Sequence, residues 1–197
     1  MPASQRRVTP EDIIPDAVFR LQRKERRAAL LPRKKLRRVD LGPYCTAYFE
    51  TYETMLFQIQ EMLLIEGGGA EQLVDEMAAY NPLIPQGGEL VATVMFEIDD
   101  PLRRANILAR LGGVEDHFFL QIGESRSQAQ QEGDVERTRE DGKTSSVHFL
   151  RFPLTPEQIA QFRDPKVIAM LGTDHPLYDH RAILNEATRA ELATDLD

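Results

Sequence analysis

DVERTREDGKTSSVHFLRF, residues 134–152, is the stretch on which the fold turns. Asp141-Gly142 is a strong short-range hairpin signal, because a two-residue turn between strands needs positive φ. On either side, Asp134–Glu140 and Thr144–Phe152 read as strands that pair across it. Two further strands precede them. Leu90–Ile98, LVATVMFEI, is rich in β-branched and aromatic residues, and His117–Ile122 reads HFFLQI. Between those two, Asp99-Asp100-Pro101 caps a helix, LRRANILARL, closed by Gly112-Gly113. Gly123–Gln131 is polar and reads as a loop or a sheet edge.

Helices flank this core. Thr9-Pro10-Glu11-Asp12 is a helix start, and Pro15 restarts it. Val18, Leu21, Ala28 and Leu31 give a thin apolar stripe that Pro32 should end. In Tyr44–Glu66, Tyr48, Tyr52, Met55, Leu56, Ile59, Met62 and Leu63 recur at helical spacing. Gly67-Gly68-Gly69 terminates that helix, and Ala70–Tyr80 forms a second against it. After the core, Thr155-Pro156-Glu157-Gln158 is a capping box. Asp164-Pro165 starts a short helix, and His175–Leu192 forms the last one. The expectation is a single α+β domain with a small, largely antiparallel sheet of about four strands. It divides into a basic helical arm over 1–43, an α+β core over 44–163 and a helical tail over 164–197.

The balance of residues is that of a globular protein, 42% hydrophobic and 28% charged. No apolar run approaches the roughly 18 residues of a membrane span. The opening MPASQRRVTPED has no apolar core after its arginines, so no secretory leader is expected. One cysteine, Cys45, excludes an internal disulfide and a multi-cysteine metal site. A cytoplasmic protein with no membrane partner follows. The net charge of −8 conceals a split. Residues 1–40 hold 12 Lys/Arg and 5 Asp/Glu, and the other 157 hold 12 and 27. Opposite charges on arm and body favour docking of one on the other over nucleic-acid binding.

Several segments together resemble a bacterial family. They are Leu41-Gly42-Pro43, Phe49-Glu50 with Gln58–Met62, Tyr80–Pro85, Asp134–Arg137, and Asp141–Lys143 through Ser146–Phe152. The chain is similar, over roughly Val8 to Phe162, to family 3501 of the domains of unknown function. That resemblance implies no established activity, substrate or cofactor. It implies a loose redox or stress association, because such proteins tend to be encoded beside iron–sulfur oxidoreductases and rubrerythrin-like proteins.

The hairpin holds the densest polar chemistry. Arg137, Arg139, Lys143 and Arg151 could converge on a phosphate or carboxylate, with Ser146 and His148 as further ligand-binding groups. Alternation sets Val147, Phe149 and Arg151 on one face and Ser146, His148, Leu150 and Phe152 on the other. One of His148 and Arg151 is therefore turned inward and needs a partner, for which Glu136 or Glu140 is placed. A solvated edge hairpin, blunted by charge, accounts for the same residues without a ligand and is preferred. Gly142-Lys143-Thr144 is not a phosphate loop, since Arg137 stands where its first glycine belongs and a strand follows.

Other groups are weighed the same way. Glu50 and Glu53 lie three apart and are the nearest approach to a metal pair, but the helix carries no histidine. Solubilising acids, or acids that dock the N-terminal arginines, are the better account. Asp174-His175 and Asp179-His180 are spaced five apart, which separates them on a helix, so Asp174 reads as a helix cap. His117 reads as structural, and Cys45, among Tyr44, Tyr48 and Phe49, as buried and inert. With no nucleophile marked, the leading function is a non-catalytic accessory or anion-binding protein. Its partners would be a small anionic ligand or a redox protein, and a homo-oligomer is admissible. The alternative is an enzyme on a phosphorylated or carboxylated small molecule, with His148 as acid/base and an arginine clamp. The third is nucleic-acid binding through residues 20–38, which the acidic body disfavours.

Overall fold

The structure, a computed structural model, describes residues 6–132 and 142–197. The described residues form two antiparallel sheets rather than one small one. The five-stranded sheet runs β1 (Arg38–Leu41), β2 (Cys45–Phe49), β3 (Glu89–Phe96), β7 (Val147–Pro153) and β6 (Gln130–Gln131), in that spatial order. The four-stranded sheet runs β5 (Ser125–Gln128), β4 (Phe118–Ile122), β8 (Ala169–His175) and β9 (Tyr178–Ile183). Alternate residues of each turn inward. Ala92, Val94, Leu150 and Phe152 from one sheet share a core with Phe118, Leu120, Ile122 and Leu171 from the other.

The sheets are joined along both edges. β5 and β6 are one run of chain that changes sheet at Ala129, whose N–H donates to Phe118 O at 2.9 Å. At the opposite edge the Tyr178 hydroxyl, on β9, donates to Leu41 O at 2.7 Å. It also accepts from the N–H groups of Tyr44 and Cys45 at 3.1 and 3.0 Å.

Several sequence readings stand as made. Gly67 ends α2 (Tyr52–Glu66) with φ +67, and α3 (Gly69–Tyr80) follows. Asp100 caps α4 (Pro101–Leu108), and Thr155 and Gln158 form the capping box of α5 (Pro156–Arg163). Gly123–Gln131 supplies edge strands to both sheets.

Four readings are corrected. Cys45–Phe49 is a strand, and the helix begins only after Thr51, whose hydroxyl accepts from Thr54 N. The helical spacing of Tyr48 with Tyr52 spans a strand–helix junction. His175–Leu192 is not one helix, because β8 and β9 form a hairpin and only α6 (Glu186–Leu192) is helical. No helix starts at Asp164-Pro165 either. Asp164 Oδ1 accepts from Lys166 N in a tight turn, and the apolar run after it is buried as β8. The segment read as a helical tail thus gives the four-stranded sheet half its strands. Finally, α1 (Asp16–Leu36) runs straight through Pro32. Pro32 is exposed, so water can satisfy the carbonyl it leaves without a donor.

The stripe on α1 also faces the wrong way for the reading above. Val18, Leu21 and Leu31 are 39%, 86% and 48% exposed, and Phe19 is the one buried residue of the helix. Cations face the body instead. Arg23 meets Glu61, and Arg33 meets Glu53 and Glu191. Arg37 meets Glu191 and Asp195. The basic arm docks on the acidic body of its own chain.

Candidate functional site

β7 carries two of the polar residues singled out above, His148 and Arg151, and places them apart. His148 is on the inner face and has no exposed surface. Its Nε2 lies 2.9 Å from Ser145 O and, since a carbonyl only accepts, carries the ring proton. Glu115 Oε2 lies 4.0 Å from Nδ1 and accepts from the Thr144 hydroxyl at 3.1 Å. Arg151 is on the outer face and is fully engaged. It binds Glu89 at 2.5 Å, Glu132 at 2.8 Å and Pro82 O at 2.7 Å. Lys143 and Ser146 are half-buried on the approach to the strand, and Ser146 O accepts from Phe96 N. Arg137, Arg139, Glu136 and Glu140 lie outside the described residues. The strand's alternation thus separates His148 from Arg151, and the acids that reach Arg151 are Glu89 and Glu132.

The outer face of the five-stranded sheet is where a cavity forms. Tyr48, Thr93 and Phe149 lie side by side across β2, β3 and β7, next to Met95 and Val147. α2 covers one end of this face, packing Met55, Ile59 and Leu63 against Val91 and Phe149. α1 lies beyond, along α2. A groove of about 650 Å³ remains between sheet and helices. That is the size of a small-molecule site, and its lining is apolar with a few polar groups, as such sites require. Leu30, Met55, Phe57, Met62, Leu83 and Phe149 supply the apolar wall.

Three charged groups of the groove matter chemically. Arg27 and Lys34 project from α1 at its rim. They stand seven residues apart with Leu30 between, which is one helix face. Neither makes an ion pair among the described residues, whereas Arg23 and Arg33 on the same helix, and Arg37 at its C-terminal cap, are paired. Glu50 lies in the wall. It is buried, with its carboxylate accepting from Thr93 Oγ1 and Thr54 Oγ1, each at 2.7 Å. Burial raises its pKa above the usual carboxylate value, against the opposing pull of those hydroxyls, Lys34 and Arg37.

Glu50 and Glu53 do not share a helix face. Glu50 precedes the cap of α2, and Glu53 turns outward to Arg33 at 2.8 Å. Asp174 is not a helix cap. It lies on β8, opposite Asp179, and binds His117 Nδ1 and Arg126 Nη1, both at 2.9 Å. Cys45 is buried, and burial pushes its thiol pKa up, so the thiolate is disfavoured. The sequence reading missed Arg27 and Lys34 as a pair. The signal was there, in the alternating four- and three-residue steps from Arg23 through Arg27, Leu30 and Lys34 to Arg37.

The fold is similar to that of a protein of unknown function from Burkholderia pseudomallei K96243, whose crystal structure has a resolution of 1.90 Å. The two are 34% identical with a TM-score of 0.88, over 96% of this chain and 99% of that one. No curated protein matches the chain. A family model described as protein of unknown function (DUF3501) matches residues 7–196, past the Phe162 limit of the resemblance read from the sequence, and the chain belongs to that family.

Proposed function

We propose that this protein is a non-catalytic accessory protein that binds an amphipathic anion in the groove between the α1–α2 pair and the five-stranded sheet. The supporting observation is the pairing of an apolar wall with two rim cations that form no ion pair among the described residues. An anionic head would give Arg27 and Lys34 partners of the kind that Arg23 and Arg33 on α1 already have, while the tail displaces water from Leu30, Met62 and Phe149. The enzyme reading has less support, because an acid/base must touch its substrate and His148 is enclosed on all sides. A cytoplasmic accessory role with a loose redox or stress association is what the family resemblance implies for such a binder.

Dodecanoate tests this by titration calorimetry. Wild type should bind it at a single site. Arg27→Glu with Lys34→Glu should weaken binding about tenfold, two rim charges each contributing on the order of 0.5–1 kcal/mol. Val147→Trp, which fills the floor, should abolish it. No binding by wild type, or equal binding by all three, overturns the proposal.

A further inference from the structure

Glu50 is unusual among the chain's described carboxylates. It is buried yet, among the described residues, forms no ion pair within 4.0 Å with an Arg, Lys or His nitrogen. Buried Asp195 has Arg37, and Glu89 has Arg151. Glu50 has two neutral hydroxyls, from Thr93 on the sheet and Thr54 on α2. A carboxylate accepts about four hydrogen bonds, so each oxygen keeps capacity for another donor. A buried charge left short of donors is costly, and the groove is the open side from which a donor can arrive. The two hydroxyls come from different elements and hold the two oxygens separately, so the carboxylate is fixed in orientation before anything binds.

We infer that the ligand of the groove is bipolar, with an acidic group at Arg27 and Lys34, an apolar body, and an amine that reaches the Glu50 carboxylate. This rests on the proposed binding of an amphipathic anion and narrows it. The groove is lined by groups of both signs, cations from α1 and a carboxylate in the wall beside Thr93, so a molecule with one charge satisfies only one of them. An ammonium at Glu50 adds a charge-assisted hydrogen bond in a water-poor setting, where such bonds are strongest. Tyr48 and Phe149, neighbours of Thr93 in the sheet, place aromatic rings beside the same position, and ring faces attract cations.

The experiment compares dodecanoate with its ω-amino counterpart on the full chain by titration calorimetry. The amino acid should bind wild type about tenfold more tightly, the worth of one hydrogen bond to a charged group. The amino group makes the probe more hydrophilic, so general apolar affinity predicts the opposite order. Glu50→Gln should erase the preference, so that the amino acid no longer binds more tightly than dodecanoate, and its melting curve checks that the fold is intact. If wild type binds dodecanoate as tightly as the amino acid or more so, this inference is overturned and the binding of an amphipathic anion stands. If neither probe binds, both are overturned. The comparison on wild type decides the matter even if Glu50→Gln fails to fold.

Discussion

Replacing Arg37 with methionine strands a carboxylate inside the protein. Arg37 is buried, and its Nη1 and Nη2 grip Asp195 at 2.7 and 2.8 Å. The same guanidinium binds Glu191 and the backbone oxygens of Glu50 and Glu191. Glu191 keeps Arg33 in the variant, so the orphan is Asp195, which is 1% exposed. Breaking one side of a buried pair costs about 3–5 kcal/mol. For a chain of this size that lowers the melting temperature by roughly 10 °C. Arg37→Met with Asp195→Leu should recover most of the loss, since it removes both charges and fills the space. Urea unfolding of wild type, single and double variants measures the difference. Acid should narrow it. Burial already raises the Asp195 pKa against Arg37's pull, and losing Arg37 raises it further. The folded variant then binds its proton more readily than the unfolded chain, so its stability relative to wild type improves as pH falls. A loss under about 1 kcal/mol, the value of an exposed pair, would refute the reasoning. So would a double variant less stable than the single.

Two other outcomes are expected. Tyr178→Phe removes a hydroxyl bonded to Leu41 O, Tyr44 N and Cys45 N, and should cost about 1–3 kcal/mol in urea unfolding with little change of fold by circular dichroism. His175 is held below its ordinary value of 6.5 by burial and by His117 facing it, so the folded state keeps it neutral while the unfolded chain takes up a proton. Stability should therefore fall as pH drops through about 6.5, and less steeply in His175→Gln. Parallel pH dependences would contradict this.

What was legible in the sequence was local. The Asp100 and Thr155 caps, the Gly67 stop, β3 and β4 each depend on chemistry within a few residues, and each stands where it was read. What was missed depends on distant partners. β8 becomes a strand because β4 pairs with it, which no window around Ala169–His175 contains. β2 was absorbed into a helix because Tyr48 and Tyr52 keep helical spacing across the Glu50-Thr51 break. On α1 the assumption that apolar residues face inward failed, because the surface beneath is lined with carboxylates. The same failure hid the candidate site. Glu50 looked like a helical acid, and Arg27 and Lys34 looked like two cations among 12 in the arm, until the sheet was placed beneath them.

That helix has a further consequence. With 21 residues and one buried side chain, α1 is fastened by charge pairs rather than by apolar area. Its detachment sets free ions that water solvates well, so the opening costs far less than melting the sandwich. The lip of the groove is thus a semi-independent unit whose closure is set by dissolved electrolyte, while the sheet below keeps its shape. Amide exchange along α1 should quicken with added salt while β3 stays protected, making ionic strength a dial on access rather than on folding.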